Sequence, residues 1–315
     1  MIFSVEAWAP EYGTGGDADA LDASNDVVHA DIEVPLGEWA PIASSTNAAA
    51  SGDIYFVDGV RRIDARVWLT DDGLVLPGTC ATVAAGSVRC SPGQAIVHDV
   101  AVRRAFFTPP APSATSIRTE FGEYEHAAVA TSSPEDLYLG IHEQMTALET
   151  RVVPPSGPDD LVVFDGPLRG RVAPRTVGLI KTHHVQYLDV DEQRVVIALE
   201  DGERTPLFTI GTGRFARFSW YLRLPGPRTH GWAGIVRCEA PAITGEVSET
   251  TSAARLADLV SATLPRYASE PHKEHRAPQN LYPIKGLEDA LRRRLGDQRL
   301  LQRALRKAST DQALG

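Results

Sequence analysis

Apolar residues fall in short alternating or continuous runs over most of the chain, and shift to a helical spacing in only a few places. Three segments are rich in Val, Ile and aromatics: IYFVDGVRRIDARVWL (54–69), GLVLPGTCATVAAGSVRC (73–90) and AIVHDVAVRRAFFT (95–108). Asp-Asp-Gly and Ser-Pro-Gly separate them, so they read as three strands of an antiparallel meander. Then the period changes. Ser133-Pro134-Glu135-Asp136 has the form of a helix start, with a capping hydroxyl, proline at the first position and acids in the first turn. Leu137, Ile141, Met145 and Leu148 recur at three- and four-residue spacing, which predicts an amphipathic helix of about 15 residues. LVVFDGPL (161–168) follows as a continuous apolar run, and VGLIK, QRVVIALE, PLFTI, FSWYLRL and AGIVRCEA read as further strands. Two helices close the chain, one near 251–264 and a basic one near 285–307. No internal repeat is present. Strands, a helix, a buried strand, more strands and closing helices predict a mixed α/β or α+β fold around one sheet.

At 315 residues and 43% hydrophobic content, the chain suffices for one large domain or two small ones. No run of 18 apolar residues occurs, which argues against a membrane span. The first residues, MIFSVEAWAPEYG, lack a basic start and meet Glu6 early, unlike a signal peptide. Cys80, Cys90 and Cys238 are odd in number and have no CxxC spacing, which argues against zinc and a disulfide framework. Buried, reduced thiols and a cytoplasmic setting are the expectation.

The net charge of −10 is unevenly placed. Residues 1–52 hold nine acids and no Lys or Arg, and 12–30 in particular read as a mobile acidic loop. This stretch is read as an acidic, partner-facing arm, with 53–315 forming the main domain. Residues 285–307 reverse the balance, with eight basic residues against Glu288, Asp289 and Asp297. Arg292, Arg293 and Arg294 are consecutive and so spread around a helix, which suits DNA phosphates or an acidic partner.

Candidate chemistry begins with a repeated placement. Asp58 in YFV-Asp-Gly and Asp165 in VVF-Asp-Gly each follow three apolar residues and precede a glycine. A carboxylate at the inner end of a buried strand costs several kcal/mol unless compensated. Asp-Gly is also a common hairpin pair, so two unrelated turns are the alternative. The helix between the two segments permits a parallel crossover, which would bring the two acids together. Two such carboxylates repel, and a hard divalent cation such as Mg²⁺ or Mn²⁺ would resolve the conflict.

Longer stretches narrow the reading. VEAWAPEYG (5–13), FVDGVRRIDARVWL (56–69), DLVVFDGPL (160–168), GLIKTHHVQYL (178–188), FSWYLRL (218–224) and PHKEHRAPQNLYPIKGLEDALRRRLGD (271–297) together resemble the bacterial branch of the NurA nuclease family. That resemblance implies an RNase H-like mixed central sheet flanked by helices, with extra strands and C-terminal helices. It also implies a Mn²⁺-dependent DNA nuclease, with Mg²⁺ as the second choice, that forms a homodimer and docks on a HerA-type hexameric ATPase. DNA end processing, repair or phage defence would be the setting. The family's metal ligands fall on Asp58, on a helix Glu, on Asp165 and on His272. For the helix acid, the resemblance implies Glu143, which sits at a depth along the helix similar to the family's acid, with Glu149, closer to the apolar stripe, as the reserve. His272 matches the His-basic pattern better than His275. Lys181 is either a phosphate contact or a solubilising strand end, and His183 and His184 point to opposite faces and read as structural. A catalytically silent binding subunit is the competing reading. An actin-like phosphotransferase is a third, with Gly211-Thr212-Gly213 its only phosphate-loop candidate.

Overall fold

A computed structural model describes residues 27–314, apart from 46–48, 155–156, 170, 172, 174, 184, 213–215 and 243–246. Most of the acidic 12–30 stretch, His184 and Gly213 therefore lie outside the described residues. The first strands are β1 (Val28–His29), β2 (Ile54–Asp71), β3 (Leu74–Ser91), β4 (Gln94–Thr108), β5 (Ile117–Thr119) and β6 (Gly122–Ala128). Helix α1 (Pro134–Arg151) precedes β7 (Leu161–Asp165) and β8 (Thr176–Ile180). Helix α2 (Val190–Ala198) leads to β9 (Phe208–Ile210), β10 (Arg217–Arg223) and β11 (Ile235–Pro241). Helices α3 (Val247–Thr263), α4 (Tyr282–Arg294) and α5 (Gln298–Leu314) follow.

Hydrogen bonding orders the strands β1–β9–β10–β11–β8–β7–β2–β3–β4–β6–β5, with parallel and antiparallel neighbours both present. The central run β4–β3–β2–β7–β8 is a meander, then a crossover through α1, then two parallel strands. This is the mixed sheet with flanking helices that the sequence implies. The chain divides into two compact units. One comprises 1–56, 88–96 and 155–285, and the other 57–87, 97–154 and 286–315.

In the second unit the meander turns at Asp72-Gly73, where both φ angles are positive (45° and 77°), as a right-twisted two-residue hairpin requires. Helix α1 starts where the sequence places it, with the Ser133 hydroxyl accepting from the Asp136 N–H at 3.1 Å. Cys80, Phe106, Tyr124 and Leu305 form an apolar cluster. Buried Asp64 accepts from Tyr124 and pairs with Arg62, whose guanidinium also donates to the carbonyls of Leu295 and Gly296. That cap, with Gly296 at φ +81°, breaks the expected single basic helix into α4 and α5.

In the first unit, Leu188, Val196, Leu199, Phe208, Ile210, Tyr221 and Ile235 form the core, with Trp39, Tyr187 and Trp232 packed against it. QRVVIALE is a helix, not a strand. Its Val196 sits one turn from the preceding Glu192 on the buried side of α2, so packing on this core overrides the β preference of valine. Part of the stretch read as an arm is built into this unit. Val28–His29 pairs with β9, and Glu33 binds buried Arg204 through both oxygens, at 2.8 and 2.9 Å. The three cysteines are free and buried, as expected, and burial pushes the Cys80 thiol up to about 12 and that of Cys90 to about 11. Among the described residues, no helix is long and apolar enough to cross a membrane.

Candidate metal centre

Asp58 does not end its strand. β2 runs on for thirteen residues, to Asp71, so this Asp-Gly is no hairpin, and Asp58 is buried in mid-strand. Its Oδ1 accepts the Gly59 N–H at 2.7 Å. Gly59 has a steric purpose. A Cβ there would stand 2.5 Å from Glu149 Oε1 and 2.7 Å from Met145 Cγ, so the missing side chain lets α1 approach. Ile141, Met145 and Glu149 are spaced four apart and buried, which extends the apolar stripe of α1 into a carboxylate. Glu143 lies on the exposed side of the same helix.

Helix α4 brings another acid to Asp58. Ile284, Leu287 and Leu291 are fully buried, and Glu288 continues their face with 6% of its surface exposed. The close approach of α4 depends on Gly86 of β3, where a Cβ would meet Leu287 and Leu291 at 3.1 and 3.2 Å. Carboxylate oxygens of Asp58 and Glu288 lie within 4.8 Å of each other. Sequence reasoning counted Glu288 only as one charge among the basic residues. Its position on the Ile284–Leu287–Leu291 stripe was the available signal, because a Glu on a buried face needs a partner.

Asp165 belongs to the other unit, and its surroundings differ. It ends β7, and Gly166 turns the chain at φ +97° while its N–H donates to Leu179 O. The buried ammonium of Lys181 lies 2.6 Å from Asp165 Oδ1 and donates to Asn280 Oδ1 at 2.7 Å. Asn280 Nδ2 donates in turn to Glu274 Oε2 at 3.3 Å, and the Arg276 N–H and Nε donate to Glu274 Oε1 at 2.9 and 3.0 Å. Burial pushes the Glu274 carboxyl up, but the hydrogen bonds and charge of Arg276 outweigh it and hold it at about 2. The turn after Asp165 is tied down as well. Leu168 N–H donates to buried Glu239 at 2.6 Å, and Arg217 and Arg237 both pair with Glu239. Lys181, read as a phosphate contact or a strand end, is thus the ionic partner of Asp165.

The structure places the two histidine candidates at the surface. The side chains of His272 and His275 are 69% and 75% exposed, beside Glu270 (3.5 Å) and Glu274 (3.1 Å). His183 packs on Trp232 with its Nε2 3.0 Å from Ile235 O, a structural position as the sequence suggests.

No protein-family model matches the chain, and no curated protein does. Among solved structures, the NurA nuclease from Sulfolobus solfataricus aligns over 85% of this chain and 88% of its own, at 11% identity and a TM-score of 0.46. Endonuclease V from Bacillus subtilis aligns over 79% and 82%, at 10% identity and a TM-score of 0.28. At that level of similarity neither structure assigns an activity to this chain.

Proposed function

We propose that the protein is a divalent-metal-dependent nuclease that hydrolyses phosphodiester bonds in DNA. The observation that carries this reading is the buried pair Asp58 and Glu288, with carboxylate oxygens within 4.8 Å. Two buried carboxylates at that separation repel, and a cation bound between them offsets the repulsion. The donors fit such an ion, because they are hard oxygens that Mg²⁺ and Mn²⁺ both accept. The family resemblance of the sequence adds Asp165 to the proposed set. Glu149 takes the helix position in preference to Glu143, because it is buried against Gly59. Exposed His272 and His275 are left out of the set.

A bound divalent ion would supply Lewis-acid stabilisation of the charge that builds on the phosphoryl and leaving oxygens. The residues of the chain do the rest. Lys181 pairs with Asp165 and fixes its direction, and the Asn280–Glu274–Arg276 chain fixes Lys181. The Gly59 N–H orients Asp58. The family resemblance of the sequence extends the proposal to Mn²⁺ as the working ion, to a homodimer and to a HerA-type ATPase partner. The nine acids of residues 1–52, with no Lys or Arg among them, extend it to this stretch as the partner-facing segment, of which 1–26 lie outside the described residues.

The test is purified protein incubated with labelled linear DNA and Mn²⁺, Mg²⁺ or EDTA, alongside Asp58→Asn. Cleavage that needs the ion and Asp58 supports the reading. DNA binding without cleavage under every ion would replace it with the silent-subunit reading.

A further inference from the structure

The surface that follows Glu288 along the chain has a charge that the proposed site does not use. Arg292, Arg293 and Arg294 close α4, and Arg299, Arg303, Arg306 and Lys307 lie on α5; all seven are exposed. None of them makes an ion pair with another described residue. Asp297, the one acid among residues 290–310, is spent on capping α5, its Oδ1 accepting the Leu300 N–H at 3.0 Å. Seven unpaired cations on two successive helices are unusual in a chain whose net charge is −10.

The cations of α5 are also ordered. Arg299, Arg303 and Arg306 recur at four and three residues, with Lys307 beside them, so they form one stripe. Buried Leu301, Ala304 and Leu305 occupy the opposite side of the helix. The three arginines climb about 10 Å along the axis, at the helical rise of 1.5 Å per residue. On α4 the track begins beside the site, because Arg292 stands four residues, or one turn, beyond Glu288 on the same face. Arg62 holds the corner between the helices through the Leu295 and Gly296 carbonyls, which fixes one segment of the track against the other.

We infer that α4 and α5 form a phosphate-backbone track that carries a DNA strand to the carboxylates around Glu288. This rests on the nuclease reading of that site and names the surface by which substrate is held. A nucleic-acid backbone is favoured over an acidic protein partner because the track starts one turn from a candidate metal ligand, where a docking patch for another protein would obstruct substrate. Contacts of this kind go to phosphates and carry no base information, so binding is sequence-independent and falls with salt.

The experiment is fluorescence anisotropy of labelled single-stranded and duplex oligonucleotides in EDTA, which prevents cleavage, across a series of salt concentrations. Wild type is compared with Arg299→Gln/Arg303→Gln/Arg306→Gln and with each single Arg→Gln variant. Each single change should lower the slope of log affinity against log salt by about 0.7 to 0.9, and the triple by about 2 to 3. The triple should also bind at least tenfold more weakly at low salt, with an unchanged thermal midpoint. The single variants keep the test valid if the triple is unstable. Unchanged affinity and slope in folded variants would overturn the track and turn attention to an acidic protein partner. The two proposals fail separately. A protein that cuts DNA while its track variants bind like wild type loses only the track, whereas salt-sensitive binding through the track without cleavage under any ion loses only the nuclease.

Discussion

Asp58 and Asp165 share a local sequence, apolar-apolar-apolar-Asp-Gly, yet the two glycines serve opposite purposes. Gly166 is needed for its backbone: φ is +97°, and a Cβ there would meet nothing within 4 Å. Gly59 is needed for its missing side chain, since the strand passes straight through and Glu149 fills the space. The charges differ as well. Asp165 is matched by a buried ammonium at 2.6 Å, while Asp58 faces a second carboxylate. One aspartate is thus satisfied within the fold. The other has a second acidic side chain for a neighbour. The lesson is that a buried acid speaks for function according to what faces it.

The largest expected effect separates the two faces. Asp58→Asn and Glu288→Gln should each lower metal-dependent cleavage by about 1,000-fold or more, roughly 4 kcal/mol of barrier. Because each removes a repulsion, neither should lower the stability of the metal-free protein, measured by urea denaturation. A substantial loss of stability in Asp58→Asn would make its role structural.

Lys181→Met reverses the pattern. It leaves the Asp165 charge largely buried and unmatched, which costs about 3 kcal/mol or more of folding stability. Lys181→Met/Asp165→Asn should regain most of that loss, since the double variant strands no charge. If single and double variants lose equally, the ion pair does not anchor β7.

Next comes the support behind Lys181. A carboxyl held at about 2 instead of 4.5 stabilises the fold fully above the higher value and loses that contribution as pH falls toward the lower. For Glu274 the difference is worth about 3 kcal/mol. Wild-type stability should therefore decline between pH 4.5 and 2 more steeply than that of Glu274→Gln. Parallel curves over that window would remove Glu274 from the account.

The smallest effect tests the glycines themselves. Gly166→Ala should cost about 1 to 2 kcal/mol of backbone strain and leave stabilisation by added Mn²⁺ unchanged. Gly59→Ala should cost about as much through crowding and also weaken the Mn²⁺-induced rise in thermal midpoint, because it displaces Glu149. Equal responses to Mn²⁺ would mean that Glu149 is not near the ion.

Much of the fold was legible along the chain. The meander, its Asp-Gly and Pro-Gly turns and the capped start of α1 all depend on residues within a few positions of one another. Local chemistry decides those features: turn φ angles, caps and the spacing of apolar residues. QRVVIALE misled because valines favour strands locally, whereas Val196 answers to a core built from β9, β10 and β11. The break at Gly296 likewise required Arg62, which lies more than 230 residues earlier and binds the Leu295 and Gly296 carbonyls just past the end of α4.

The candidate site divides along the same line. Asp58 and Asp165 stood out in the sequence because acids inside apolar runs are costly wherever the run folds. Which partner answers each acid was settled only in three dimensions. Lys181 reaches Asp165 because β7 and β8 pair in parallel, Glu149 is buried where α1 lies against Gly59 while Glu143 stays exposed, and Glu288 arrives on a helix more than two hundred residues after Asp58. Sequence determines which residues are expensive to bury, since that cost belongs to the side chain. Tertiary structure decides what offsets the cost, because electrostatic compensation depends on distances of a few ångströms between segments remote along the chain.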